Sequence, residues 1–335
     1  MLRSIGQPTI YKFRKEATVF LWSEQQRATT PLIRACIDRY CLKLTDPVVV
    51  GLSGGKDSIS LVHFLREMGF VVVGVIVDLG HAAFQAEAIA ASVQRFDVEV
   101  IISSARAYRS LSAGSSTMRR KLAQVLGALD CGDYETPCGL CSTAKRILLA
   151  VEAERRGAKS FCLGHHREDF VTTLLKDYFA FCYHEAIGAY DRTRFAQFVA
   201  DSELDLRLLA RLVESRHAST MGIQTRVAKN MSLHRPMAFI PESQIERFIC
   251  DSGLKTFSAG CAHLMVGNEG EVAPSKRDIV HADWRRRLRS DVRLGNVVLD
   301  LALRALDQTG RPRANPRGVR TKLLPGFDMP ENRAG

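Results

Sequence analysis

Gly51-Leu-Ser-Gly-Gly-Lys-Asp-Ser58, "GLSGGKDS", follows the apolar run Pro47-Val-Val-Val50 and leads into "DSISLVHFLREMG" (Asp57 to Gly69). A β-branched run, a glycine-dense turn and a helical pattern, in that order, read as strand, turn and helix. Glycines that dense are costly to order, so the turn serves something that needs bare backbone. Backbone N–H groups there can approach an anion, and the helix N-terminus adds its positive dipole end. The turn is therefore a phosphate cradle, to which Lys56, Ser53 and Ser58 can add charge and hydroxyl donors. It is neither G-x-x-x-x-G-K-[ST] nor G-x-G-x-x-G.

Working outward, Ile59, Val62 and Leu65 fall on one helical face, and Gly69 supplies the stop. "FVVVGVIVDL" (Phe70 to Leu79) reads as a second strand, "AFQAEAIAASVQRF" as a second helix and "VEVIIS" (Val98 to Ser103) as a third strand. A loop-rich stretch leads to "CGLCSTAKRILLAVEAERRG", whose later part reads as a helix ending at Gly157. "KSFCLGHH" is a fourth strand, "EDFVTTLLKDYFAF" a helix, and "SLHRPMAFI" (Ser232 to Ile240) a fifth strand. This alternation predicts an α/β fold: a parallel five-stranded sheet with helices on both faces. Ligands then bind at the carboxyl ends of the strands, where the glycine loop, Asp78 and "GHHRED" all fall.

Residues 1–46 read as a helical lead-in, with Cys36 and Cys41 as buried small hydrophobes inside "TPLIRACIDRYCLKL". Residues 47–265 form the main domain. A stretch from about 183 to 230 breaks the alternation and reads as a helical insertion around "DSELDLRLLARLVESRH". Residues 266–335 form a basic C-terminal extension.

The 335 residues carry a net charge of +11, with a sequence pI of about 9.4, which favours a polyanionic partner such as nucleic acid. The charge concentrates in "WRRRLRSDVR" (Trp284 to Arg293) and "RPRANPRGVRTK" (Arg311 to Lys322). A solvated face is the plainer reading of such runs; with Trp284 beside them, RNA-backbone contact is the sharper one. No apolar run approaches a membrane span, and the N-terminus lacks the h-region of a secretory signal, so a cytoplasmic protein without membrane contact is expected.

Nine cysteines, an odd number with no export signal, argue against a disulfide framework. Cys138 and Cys141 form C-x-x-C, which alone fits a zinc half-site, a redox pair or an iron–sulfur half-site. No second pair exists. Cys261, in the glycine-flanked loop "FSAGCAHLM", stands out as a third ligand, with Cys131 as its rival. Cys162, inside a strand, and Cys182 and Cys250, in helical patterns, are better explained by burial.

Ser53-Gly54-Gly55-Lys56-Asp57-Ser58 resembles the PP-loop of the N-type ATP pyrophosphatases, whose loop grips the diphosphate of ATP that leaves as pyrophosphate. The C-x-x-C after the third strand, with one distant cysteine, is similar to the iron–sulfur tRNA thiolation enzymes of that family, the 2-thiocytidine and 2-thiouridine synthetases. "GHHREDFVTTLL" resembles their "GHHxxD" segment, with Glu168-Asp169 where an Asp-Asp pair is common. "RPMAFIPESQIERF" resembles their "RPL…E…I" segment through Arg235, Pro236 and Glu242, and Lys145 matches the lysine after the C-x-x-C. The resemblance spans roughly residues 30 to 265.

This resemblance implies ATP and Mg²⁺ on Ser53, Gly54, Gly55, Lys56, Asp57 and Ser58, with Asp78, Gly164 and His165 nearby. It implies a [4Fe-4S] cluster on Cys138, Cys141 and Cys261, and catalytic roles for Asp57, Lys145, Asp169 and Cys261. The implied partners are RNA, tRNA first, and a sulfur donor such as sulfide, a cysteine desulfurase or a sulfur carrier; a homodimer is left open. Asp78 either contacts the nucleotide or caps its turn, and His165 and His166 either face phosphates or are hydrogen-bonded at the strand end. Two other functions remain: an adenylating enzyme acting on a small molecule, and an RNA-binding protein with a structural metal. The chain also departs from the family. No N-terminal cysteine pairs precede Cys36, no second cysteine accompanies Cys261, and the insertion and basic extension are additional.

Overall fold

The computed structural model describes residues 9–11, 24–40, 42–80, 84–105, 122–127, 137–215, 221–228, 230–257 and 276–307. Cys131, Cys261 and the arginine-rich tail beyond Gly310 lie outside the described residues.

Among the described residues, seven strands form one sheet: β1 (Thr9–Tyr11), β2 (Val48–Gly51), β3 (Val72–Asp78), β4 (Glu99–Ser104), β5 (Ser160–Cys162), β6 (Gln224–Ala228) and β7 (Met231–His234). Their order is β1-β4-β3-β2-β5-β7-β6. The inner five are parallel, as the alternation predicts. The outer two are antiparallel additions, β1 against β4 and β6 against β7. Both fall in stretches read from sequence as helical lead-in and helical insertion. They are short, and one-sided pairing at a sheet edge leaves little hydrophobic signature.

The central strands are β-branched on both faces, as a sheet covered on both sides requires. In β2, Val48 and Val50 enter one apolar layer and Val49 the other. The first layer is completed by α1 (Glu24–Arg39), α2 (Lys56–Glu67), α3 (Ala86–Ser92) and α8 (Glu242–Asp251); the second by α4 (Pro137–Arg155). The helix expected only in the later part of the cysteine stretch thus begins at Pro137, where a missing N–H costs nothing. The C-x-x-C therefore lies on its first turns rather than in a loop.

The fifth parallel strand stops at His234, six residues short of the predicted end. Pro236 cannot donate to the sheet. Arg235 turns away to bond Gly222 O and, at 3.1 Å, Thr225 Oγ1.

A third apolar core gathers five further helices: α5 (Arg167–Ile187), α6 (Arg192–Asp201), α7 (Leu206–Glu214), α9 (Lys276–Ser290) and α10 (Val292–Asp307). Helix α5 passes from the main domain into this core. Trp284 is 2 % exposed and packs on Phe179 with ring centroids 5.5 Å apart. It is a core residue, not an aromatic beside an RNA-facing arginine run. Its helical neighbours show why: Val280, Trp284 and Leu288 recur every four residues and all are buried.

Cys36 and Cys162 are fully buried, which pushes both thiols up to about 12. Cys182 is partly buried, but Cys250 is exposed on α8, against the burial expected from its helical pattern.

Candidate functional site

The chain runs outward from β2 through β3 to β4, then crosses back to β5 on the other side of β2. The carboxyl ends of β2 and β5 are therefore the switch point of the sheet, the place where open α/β folds bind ligands. Ser53–Ser58 follows β2 and Gly164–Asp169 follows β5. Both are brought together, as the strand-end reading requires.

The loop is shaped by its own serines. Ser58 Oγ accepts from Ser53 N at 3.2 Å and donates to Gly55 O at 3.0 Å. Gly54 has a φ of +83, the left-handed region that glycine tolerates. Its carbonyl accepts from Phe257 N at 2.9 Å. Gly55 is the N-cap of α2 and has no side chain to cap it. That helix start thus offers backbone N–H groups without a capping acceptor, which fits a phosphate. Gly164 holds the second loop against the first: a Cβ there would stand 2.6 Å from the Asp57 carbonyl oxygen.

Charged side chains pack tightly around this start. Lys56 Nζ lies 3.0 Å from both Asp57 Oδ1 and Glu242 Oε1. His166 Nε2 lies 3.7 Å from Asp57 Oδ1 and 3.6 Å from Asp169 Oδ2, and its Nδ1 lies 3.1 Å from Glu168 Oε2. Asp169 also accepts from the backbone N–H of His166 at 3.0 Å, closing a capping box on α5. Glu168 accepts from Arg167 at 2.8 Å and from the backbone N–H of Glu242 at 2.8 Å. From α9, Arg277 bonds Asp169, and Arg285 Nε lies 2.7 Å from Glu242 Oε2.

The pairing decides the protonation. Burial alone would lower the His166 pKa, but Asp169, Glu168 and Asp57 outweigh it and raise it. Burial disfavours the charge on Asp169 and Glu168, yet the cations around them hold both carboxyls down at about 2. Lys56 is raised, because Asp57 and Glu242 overcome its burial. Asp57 is raised by burial, against the pull of His166 and Lys56. For His165 burial wins: it pushes the ring down to about 4 against the pull of Asp169, with Arg235 and Arg277 adding to the drop, and Arg235 Nε donates to its Nδ1 at 3.3 Å.

The other expected site residues stand as follows. Asp78 ends β3, and its Oδ1 accepts from Gly80 N at 2.7 Å, so it caps its turn. Helix α4 begins at this same edge of the sheet, because it must run back to start β5. Cys138 and Cys141 lie three apart on its first turns, and Cys141 is partly buried. Lys145, one turn further, is exposed, and none of the ion pairs around Lys56 reaches it. Cys261 lies outside the described residues; among the described residues no group of three or more His, Cys, Asp or Glu is placed to hold a metal. Sequence reasoning missed Arg277, and it took Arg285 only as part of the arginine run offered for RNA contact. Their signal was present, two arginines eight residues apart in a helical run, but it was indistinguishable from a solvated face.

No family model matches the chain. It is 31% identical over 155 residues to a tRNA-cytidine(32) 2-sulfurtransferase of Anaeromyxobacter sp. (strain K), covering 44% of this chain and 47% of the relative. It is 29% identical over 161 residues to the enzyme of that name from Tolumonas auensis, covering 46% and 48%. The chain thus spans about half the length of the curated relatives it matches. Among solved structures, the U34-tRNA thiolase NcsA from Methanococcus maripaludis, with its [4Fe-4S] cluster, superposes with a TM-score of 0.56 at 18% identity, covering 85% of this chain and 80% of that one. The matched half is similar in sequence to tRNA-cytidine(32) 2-sulfurtransferases, and over most of the chain the fold is that of the solved thiolase.

Proposed function

We propose that the chain is an ATP-dependent tRNA sulfurtransferase, acting in the cytoplasm. The observation that carries this reading is the SGGKDS turn on an uncapped helix start at the switch point, with a C-x-x-C on the helix that begins at the same sheet edge. ATP, with Mg²⁺ neutralising its phosphates, seats its diphosphate on Ser53–Ser58. Gly164 and His165 border the loop, and Asp78 supports the neighbouring strand end. The C2 oxygen of a pyrimidine attacks the α-phosphorus and pyrophosphate leaves, turning a poor leaving group into a good one. Sulfur then adds at C2, and AMP departs with the oxygen.

Lys56 supplies charge to the leaving pyrophosphate, while Asp57 and Asp169 hold the cations of the site. Lys145 lies on the cysteine side, towards the acceptor. Cys138 and Cys141, three apart on the first turns of α4, would hold two irons of an iron–sulfur cluster, with Cys261 as the third ligand. When bound, such a cluster would offer one iron without a cysteine ligand, at which sulfide could be held. That sulfur would come from an external donor: sulfide, a cysteine desulfurase or a sulfur carrier.

The test is iron and acid-labile sulfide content, with the visible spectrum, on protein purified without oxygen, alongside Cys138→Ala and Cys261→Ala. About four irons and four sulfides per chain, lost in both variants, is the expected result. Zinc, or no metal, in that preparation rejects the cluster and leaves only an adenylating enzyme.

A further inference from the structure

We infer that helix α9 belongs to the nucleotide site, with Arg277 and Arg285 as positioning residues that govern how firmly the loop lysine is held. This rests on the reading of SGGKDS as an ATP site and assigns new residues to it.

A closed chain of alternating charges links α9 to the loop. From Arg285 it passes to Glu242 Oε2 (2.7 Å), and from Glu242 Oε1 to Lys56 (3.0 Å). It continues to Asp57 (3.0 Å), His166 (3.7 Å) and Asp169 (3.6 Å), and returns to α9 at Arg277. Both ends stand on one helix, eight residues apart and so on one face, with His281 between them 3.9 Å from Glu242. The loop lysine thus sits inside a circuit that α9 closes.

The pairs are not what docks the helix. The adjacent stripe of Val280, Trp284 and Leu288 is buried in the third core and anchors α9. The side chains of Arg277 and Arg285 are 42% and 33% exposed, and pairs of that exposure contribute little to stability. What they change is the charge that Glu242 and Asp169 present inward. Glu242 divides its two oxygens between Arg285 and Lys56. Without Arg285, its charge falls on Lys56 and competes with a phosphate for the ammonium.

The experiment titrates α,β-methylene-ATP with Mg²⁺ into the full chain by calorimetry, with melting temperatures recorded in parallel. Lys56→Met is expected to lose binding by more than tenfold, roughly the cost of a lost charge-assisted contact. Arg285→Gln is expected to weaken binding about fivefold with an unchanged melting temperature, the ratio a partly exposed ion pair supports. Arg277→Gln with Arg285→Gln together should weaken it further, and Arg285→Lys should restore most of it. Arg293→Gln, exposed on α10, should bind as the wild type does. If Lys56→Met loses binding while the α9 variants bind normally, the inference is overturned. A melting temperature that falls in step with binding also overturns it, since the pairs would then be structural. If the wild type does not bind the analogue, or Lys56→Met binds it equally well, the ATP reading itself fails and takes the inference with it.

Discussion

Gly164→Ala should damage the site more than its size suggests. The new Cβ would lie 2.6 Å from the Asp57 carbonyl oxygen, 2.8 Å from its carbonyl carbon and 3.1 Å from Ser58 N. Ordinary carbon–oxygen contacts lie near 3.3–3.6 Å, so the two loops must part by roughly 0.7 Å or more. All three atoms are backbone in the first turn of α2, so no side chain can swing away. Overpacking of this kind costs about 1–3 kcal/mol, and in a chain of this size that lowers the melting temperature by a few degrees, at roughly 2–4 °C per kcal/mol or less.

The larger effect is on geometry. The same displacement moves Lys56, Asp57 and Ser58 together, and a misplacement of about 1 Å can cost on the order of 100-fold in rate. Gly51→Ala is the comparison. Its Cβ also meets an atom at 2.6 Å, but that atom is Leu163 Cδ2, the end of a flexible side chain. Gly127→Ala, with nothing within 4 Å, is the blank. RNA-dependent pyrophosphate release and calorimetric melting should rank the three: Gly164→Ala worst by at least tenfold in rate, Gly51→Ala intermediate, Gly127→Ala silent. A Gly164→Ala protein with wild-type release and melting would refute the claim that bare backbone contact sets the loop.

Trp284→Ala should lower stability by about 3–5 kcal/mol, the usual cost of emptying a large core site, and calorimetric melting would show it. An unchanged melting temperature would return Trp284 to the RNA-facing role that the arginine run suggested. Urea unfolding midpoints should fall from pH 7 to pH 4. Burial pushes His63, His165 and His234 down to about 4, so the unfolded chain takes up protons first as pH drops through 6.5. Glu168 and Asp169 extend the loss further into acid, since their contribution is present above 4.5 and 3.8 and disappears as pH falls through about 2. His166, raised by its carboxylates, works the other way: its contribution is full below 6.5 and is lost as pH rises through its folded value. A midpoint that is flat or rising between pH 7 and pH 4 would contradict this balance.

The parallel sheet and the loop were legible because their causes are local. β-branched runs, helical periodicity and three glycines in eight residues act within one turn or one strand, and the chain alone displays them. The cysteine pair was legible too, and so was the later part of its helix, but not the helix start, because Pro137 and Gly139 mask it in the pattern. The edge strands β1 and β6 were not legible, since a few residues paired on one side need no apolar alternation.

The charge circuit could be seen only in the folded structure. Asp169 meets Arg277 across 108 positions, and Lys56 meets Glu242 across more than 180. Nothing in a lysine and an arginine so far apart announces that both will share the carboxylate of Glu242, or that Arg277 will take Asp169. Trp284 shows the same limit in reverse: beside three arginines it resembled a surface residue, and packing against Phe179 made it core. Local periodicity determined which segments became strands and helices. Only the crossing of those segments at the β2–β5 switch point decided which charges would face the nucleotide loop, because pairing between distant side chains depends on where whole elements pack.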